Sequence, residues 1–300
     1  MKITELLESS KCVRKDVKLS DINWFRVGGT ADYYYKAQTE SDLIILLESL
    51  TEDFPLCILG VGSNVIIRDG GVEGVVLRLG RGFAGIEKIN DVTLKVGAAA
   101  LDLSVAKYAQ IEAISGLEFL SGIPGTIGGA IKMNGGSYNS EMKDILVEAT
   151  AYDRRGKLHI IKSSDMNFSY RDSNPHIKDL IFTQAIIRGS KGDADEIKQR
   201  MDKIQQQRST TQPIKSRTGG SSFKNPEGYK AWELIDKAGM RGHKIGGAMI
   251  SEKHCNFMIN DGTATAKDLI ALGEFVRSRV KEISGISLEW EIQIIGRDEK

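Results

Sequence analysis

The chain has 300 residues, enough for two or three domains of ordinary size. Its 41 Lys plus Arg balance 40 Asp plus Glu, so no global field draws it to nucleic acid. Three cysteines, Cys12, Cys57 and Cys255, far apart and odd in number, exclude a disulfide scaffold, and no apolar run suits a signal peptide or a membrane span; the expectation is a cytoplasmic protein with no membrane partner.

Residues 3 to 9 have the pattern of a short helix. Gly28-Gly29 reads as a tight turn, and Ala31 to Tyr35 as a strand entering a core. Thr39 to Asp42 has the form of a capping box, opening a helix with Leu43, Leu46, Leu47 and Leu50 at helical spacing. Ile58 to Ile67 spells a strand, a glycine turn (Gly60, Gly62) and a second, β-branched strand. A strand where a helix should follow argues against a Rossmann site. Ser63, Asn64 and the turn amides still suit a phosphate, and a plain hairpin turn fits these residues equally. Strands are expected at Val75 to Leu77, Ile86 to Ile89 and Val92 to Val96, then a helix over Leu101 to Ile114.

The densest glycine stretch runs from Gly116 to Met142, with Gly116, Gly122, Gly125, Gly128, Gly129, Gly135 and Gly136 around Pro124. Main-chain amides without side chains in the way are how a protein cradles pyrophosphate. Alternation with Leu117, Phe119, Ile123, Ile127, Ala130, Ile131 and Met133 predicts a packed loop rather than a loose linker. A hairpin follows across Arg154 to Gly156, with strands Ile145 to Tyr152 and Leu158 to Ile161. Phe168 to Ser173 lies at a turn before Asn174-Pro175, where Arg171 taken alone reads as a surface residue. Leu180 to Arg188 is a strand, and Asp193 to Gln207 a charged helix. The polar stretch from Ser209 to Gly219 marks a domain boundary.

Gly219 to Pro226 is a short polar segment that either caps the helix Lys230 to Ala238 or presents Ser221 and Asn225 to a ligand. Gly246 to Ile250 and Phe257 to Asn260 form a strand pair, and Thr265 to Asp268 a second capping box whose helix reaches Ile283. In the last strand Ile286, Leu288, Trp290, Ile292 and Ile294 share one face, with Glu289 and Glu291 on the other. That second face is solvated unless it lines a ligand cleft, where a desolvated glutamate carries a proton. His159, His176, His243 and His254 do not sit at ligand spacing, so no metal is expected.

Arg26 to Gly29, Gly62-Ser63-Asn64, Gly122 to Thr126, Tyr170 to Ser173, Gly220 to Pro226, Ile245 to Ala248 and Glu289-Trp290-Glu291 occur in order, and on them nearly the whole chain resembles the UDP-N-acetylenolpyruvoylglucosamine reductase family. The resemblance implies an α+β fold: a two-subdomain FAD-binding region of the vanillyl-alcohol-oxidase type plus a separate α+β substrate-binding domain. Implied bounds are 1–80 and 81–208 for the two subdomains, the second completed by 286–300, and 209–285 for the substrate domain. FAD is implied on Gly60, Gly62, Ser63, Asn64, Gly122, Gly125, Thr126 and Gly129, with NADPH as co-substrate and a nucleotide sugar as partner of a monomer. Arg171, Ser221 and Glu291 are the implied catalytic residues, and Tyr170, Lys224 and Asn225 the implied substrate contacts. Asn23-Trp24, Ser137 and Asn139 depart from the family pattern. The competing readings are another flavoprotein oxidase on the same fold, which has no use for Ser221 to Asn225 with Glu291, and a non-catalytic nucleotide-sugar binder, which would be colourless.

Overall fold

The structure is a computed structural model and describes residues 3–299. The chain divides into two compact units. The first comprises Met1–Arg14, Tyr34–Gly60 and Val76–Gln207, and the second Lys15–Tyr33, Val61–Val75 and Arg208–Lys300. A four-stranded sheet takes its strands in the order Val13–Lys18, Thr30–Ala37, Val72–Leu79, Leu56–Ile58, and the division of the chain falls within the first three.

The core of the first unit is an antiparallel five-stranded sheet, ordered Leu158–Lys162, Leu146–Tyr152, Ile181–Arg188, Thr93–Gly97, Ile86–Asn90. Alternate residues (Ala149 and Ala151, Ala185 and Ile187, Leu94 and Val96) are buried. They form one cluster with Val105, Ala106 and Ala109 of the helix Asp102–Ile111 and Ile197 and Met201 of the helix Ala194–Thr211. Each large aliphatic side chain so buried contributes roughly 1.5–3 kcal/mol. The second helix runs four residues past the expected Gln207. Pro213 is the first real obstacle, because a proline pushes the residue before it out of the α region.

The second unit is built on the helix Ala266–Ser284, whose Leu269, Leu272, Val276 and Val280 are buried. Against them pack the helix Ala231–Lys237, buried residues of the strands Ala248–Ile250 and Met258–Asn260, and the partly buried Ile245 of the strand Lys244–Ile245. The two strands flanking the first glycine turn lie in different sheets. Leu56–Ile58 joins the four-stranded sheet, whereas Val65–Ile67 pairs in parallel with Gln293–Ile295, so the turn is not a hairpin. The expected long last strand is regular only over Gln293–Ile295. Its period-two burial persists at Leu288 and Ile292, but its partners change along its length. Glu289 and Glu291 bond to the 222–224 segment, and Gln293 bonds to Asn64.

All three cysteines are free. Among the described residues no helix is long and apolar enough to cross a membrane.

Both expected capping boxes are present, at Thr39 with Asp42 and at Thr265 with Asp268. The second is reinforced from afar, because the Asp69 carboxylate accepts from the amides of Ala266 and Lys267, both at 2.9 Å. Asp69→Ala removes two bonds to a charged acceptor at a helix N-terminus, and should cost about 1.5–3 kcal/mol, against about 1 kcal/mol for Thr265→Ala. Urea denaturation of the two variants checks the ranking.

Candidate active site

The glycine-rich segment folds into a 3-10 turn, Glu118–Gly122, and a one-and-a-half-turn helix, Ile127–Lys132, with Leu117, Phe119, Leu120, Ile127, Ala130 and Ile131 buried. It is packed, as the alternation of glycine and apolar residues requires. Residues 125–128 are bonded to 98–102: Asp102 N–H donates to Gly125 at 3.2 Å, Ile127 N–H to Ala100 at 3.0 Å and Gly128 N–H to Ala98 at 2.9 Å. A Cβ on Gly60 would lie 3.1 Å from Thr126 Oγ1, so the first glycine turn starts against the second loop. A Cβ on Gly122 would meet Ser137 Oγ at 2.7 Å. Gly129 has only Thr126 Oγ1 near, at 3.9 Å. The Ser121 hydroxyl, one residue before Gly122, is buried without a partner.

Gly62 needs its lack of a side chain twice over. Its φ is +68°, and a Cβ would stand 2.8 Å from Asn23 Cα. Asn23, a departure from the family pattern, proves to be a buried brace. Its Nδ2 donates to Leu19 and Val27 carbonyls at 2.7 and 2.8 Å, and its Oδ1 accepts from Arg26 N–H at 2.9 Å. Trp24 N–H donates to Gly62 at 3.0 Å, which fixes the turn before Ser63 and Asn64.

Arg171 belongs to the first unit. It sits at φ +57°, a left-handed conformation that a non-glycine residue adopts only when its surroundings impose it. Those surroundings are the glycine segment. Asn134, fully buried, donates through Nδ2 to Ser169 O at 2.9 Å and Glu141 Oε2 at 2.6 Å. Ser173 Oγ donates to Lys132 O at 2.8 Å. The guanidinium donates to Gly136 O at 3.0 Å and stacks 5.0 Å from the Tyr170 ring, itself exposed. Its orientation is therefore held by neighbours, unlike that of an ordinary surface arginine.

Ser221 and Glu291 belong to the second unit and lie on adjoining segments. Glu291 N–H donates to Ser222 O at 2.9 Å, and Lys224 N–H to Glu289 O at 2.9 Å. On its other side, Glu291 O accepts from Asn64 Nδ2 at 3.1 Å. Three segments named from the sequence are thus direct neighbours. Lys224 Nζ lies 3.7 Å from the exposed Glu289 carboxylate, a surface pair of little energetic weight. Asn225 Oδ1 accepts from Ala231 N–H at 2.9 Å, so this side chain caps the following helix.

Two buried polar side chains near the candidate residues escaped the sequence reading. Asp102 is fully buried, with neither carboxylate oxygen partnered, and its Oδ2 occupies the place a Gly125 Cβ would need, 2.7 Å away. Burial pushes its carboxyl well above the usual carboxylate range. In sequence it looks like an ordinary acidic residue opening a helix; the run Ala98-Ala99-Ala100 just before it was the available signal. Asn256, buried beside Ser222 and Phe223, is the other.

Comparison with known proteins bears on this arrangement. Residues 212–295 match the family model "UDP-N-acetylenolpyruvoylglucosamine reductase, C-terminal domain", and residues 31–162 the model "FAD binding domain". A UDP-N-acetylenolpyruvoylglucosamine reductase from Parvibaculum lavamentivorans is 53% identical over 281 residues, spanning 94% of this chain and 90% of that protein. One from Rickettsia bellii is 51% identical over 284 residues, 95% of this chain and 94% of its own. The crystal structure of the reductase from Thermus caldophilus superposes with a TM-score of 0.83 at 34% identity, covering 95% of this chain and all of that one. The residues here fit an FAD. Gly60 stands against the second loop at the Thr126 hydroxyl, Gly129 has only that same oxygen near, and Ser121, next to Gly122 in the chain, leaves a buried hydroxyl unsatisfied.

Asp102 supplies a pH test of this loop. A carboxyl whose folded pKa lies above its unfolded value of about 4 stabilises most below that value, and loses stability as pH rises toward the folded one. Asp102→Asn should remove this slope, so its advantage over the parent in urea midpoint should widen from pH 4 to pH 7. A difference that is constant with pH would show the carboxyl to be satisfied.

Proposed function

This chain belongs to the UDP-N-acetylenolpyruvoylglucosamine reductase family, and from that premise we propose which of its residues carry out the family's reaction. It is an FAD-dependent oxidoreductase that uses NADPH to reduce the enolpyruvyl group of UDP-N-acetylenolpyruvoylglucosamine, giving UDP-N-acetylmuramate for peptidoglycan synthesis. Bound FAD supplies the two-electron relay between NADPH and the enolpyruvyl double bond. Across that bond one hydride and one proton add, and a lactyl ether results.

The chain's own part is to bind, orient and protonate. The amides around Gly60, Gly62, Ser63 and Asn64, and those of Gly122, Gly125, Thr126 and Gly129, hold the dinucleotide's pyrophosphate. Arg171 presents its planar fork to the substrate carboxylate, where negative charge builds once the hydride has arrived. Glu291 acts beside Arg171 at that carboxylate, in stabilising the enolate. Ser221 gives its hydroxyl proton to the neighbouring carbon. Tyr170 and Lys224 contact the nucleotide sugar, and Asn225 does so alongside its capping bond.

The observation that supports this reading best is the double hydrogen bonding of Glu291. Its N–H goes to Ser222, its carbonyl takes Asn64 Nδ2, and the segments bearing Ser221, Glu291 and Asn64 are neighbours as a result. The preset guanidinium of Arg171, held by Gly136, supports it from the first unit. We further read the protein as a cytoplasmic monomer acting on a nucleotide sugar rather than on nucleic acid or a membrane. The net charge of +1 supports the first exclusion, and sedimentation equilibrium tests the oligomeric state.

Ser221→Ala should leave the NADPH half-reaction near normal and slow the enolpyruvyl half-reaction by roughly 10²–10⁴-fold. Equal loss of both in stopped flow would remove Ser221 from the proton-donor role. Arg171→Lys loses both the fork and the stacking on Tyr170, so its enolpyruvyl half-reaction should fall about 10²-fold or more, close to the alanine variant. A lysine variant near wild type would return Arg171 to the surface.

A further inference from the structure

We propose that Asn256 is a positioning residue for the Ser221 hydroxyl, an inference that rests on the proton-donor role given to Ser221 above. Asn256 is 5% exposed, and every polar group it carries is engaged with the segment that bears Ser221 or with the turn that leads to it. Its Nδ2 donates to Phe223 O at 2.8 Å, and its Oδ1 accepts from Phe223 N–H at 3.0 Å. Its main-chain carbonyl accepts from Ser222 N–H at 2.7 Å, and its main-chain N–H donates to His254 Nδ1 at 3.2 Å.

A carboxamide offers one acceptor and two donors on a planar frame, so it can replace a peptide group in a strand ladder. Here the replacement is required, because the strand is kinked. In a regular antiparallel pair, the N–H and C=O of one residue face the same neighbour. Ser222 breaks that rule: its N–H goes to Asn256 and its carbonyl accepts from Glu291 N–H at 2.9 Å on the opposite side. Ser221 bridges Phe257, whereas Phe223 bridges Trp290. Between those two bridges the backbone turns over, and the Asn256 side chain satisfies both main-chain groups of Phe223 that the turn leaves facing inward. The Ser222 hydroxyl takes no part, since it is buried without a partner. The kink is thus held by its main chain and by one carboxamide, and it sets the direction in which the next side chain, Ser221, leaves the strand.

A proton donor displaced by about 1 Å loses on the order of 10²-fold in rate. Asn256→Ala should therefore slow the enolpyruvyl half-reaction about 10²-fold, with flavin content and the NADPH half-reaction within about twofold of the parent. In the Ser221→Ala background the same substitution should have almost no further effect, because the hydroxyl it positions is gone. Losses that multiply in the double variant, or a parallel fall of both half-reactions, would overturn the proposal and make Asn256 a general brace. If Asn256→Ala does not fold, Asn256→Asp is read in the same way; it keeps the acceptor toward Phe223 N–H and replaces the donor toward Phe223 O by a second acceptor. Should Ser221→Ala itself leave the enolpyruvyl half-reaction intact, the role of Ser221 fails first, and the two failures are told apart.

Discussion

Glu291 is bonded through its amide to Ser222 and through its carbonyl to Asn64, and two residues later the same strand begins its parallel pairing with Val65–Ile67. One extended stretch of backbone thereby serves two masters. On one edge it is the neighbour of the segment that carries Ser221, and on the other it is the neighbour of the strand that leaves the first glycine turn. The segment that carries Ser221 also has Asn256 and Phe257 beside it, but it is the register of the last strand that relates Ser221 to Asn64 and Glu291. A slip by one residue would turn Glu291 inward and Ile292 outward, at the cost of an aliphatic side chain that is now buried.

The same economy appears around Arg171. A left-handed arginine is an expense that the fold meets with Asn134, Ser173 and the Gly136 carbonyl, all drawn from or bonded to the glycine-rich segment. That segment therefore anchors a guanidinium through Gly136, besides being the loop proposed above for the dinucleotide. Its glycines are explained by close approach, at Gly122 to Ser137 and at Gly125 to Asp102, as much as by the ligand.

Much of this was legible in the residues. Period-two burial marked the core strands, helical spacing marked Leu43 to Leu47 and Leu269 to Val280, and both threonine capping boxes announced their helices. The glycine alternation foretold a packed loop. What could not be read was pairing. Val65–Ile67 looked like one arm of a hairpin because local sequence carries no information about a partner more than 220 residues away. Asp102 and Asn256 were invisible for a related reason. A polar side chain at a helix start or before a strand is ordinary there, and only the tertiary fold shows it buried. Asn225 shows the converse, a residue singled out for a ligand that also has a local structural task. Arg171 was named through family motifs, and the residues around it in sequence gave no sign of the Gly136 anchor.

The parallel pairing of Val65–Ile67 with Gln293–Ile295 also sets an order of events during synthesis. Asn64 and Glu291 are separated by 227 positions, so a ribosome that has delivered the first glycine turn must deliver nearly all of the remaining chain before that turn acquires its permanent neighbour. Non-local pairing of this kind is slow to form and leaves an edge exposed meanwhile. The nascent chain can gather the antiparallel five-stranded sheet early, since all its strands have emerged by Arg188. The parallel pair beside the first glycine turn can therefore be completed only once almost the whole chain has been made.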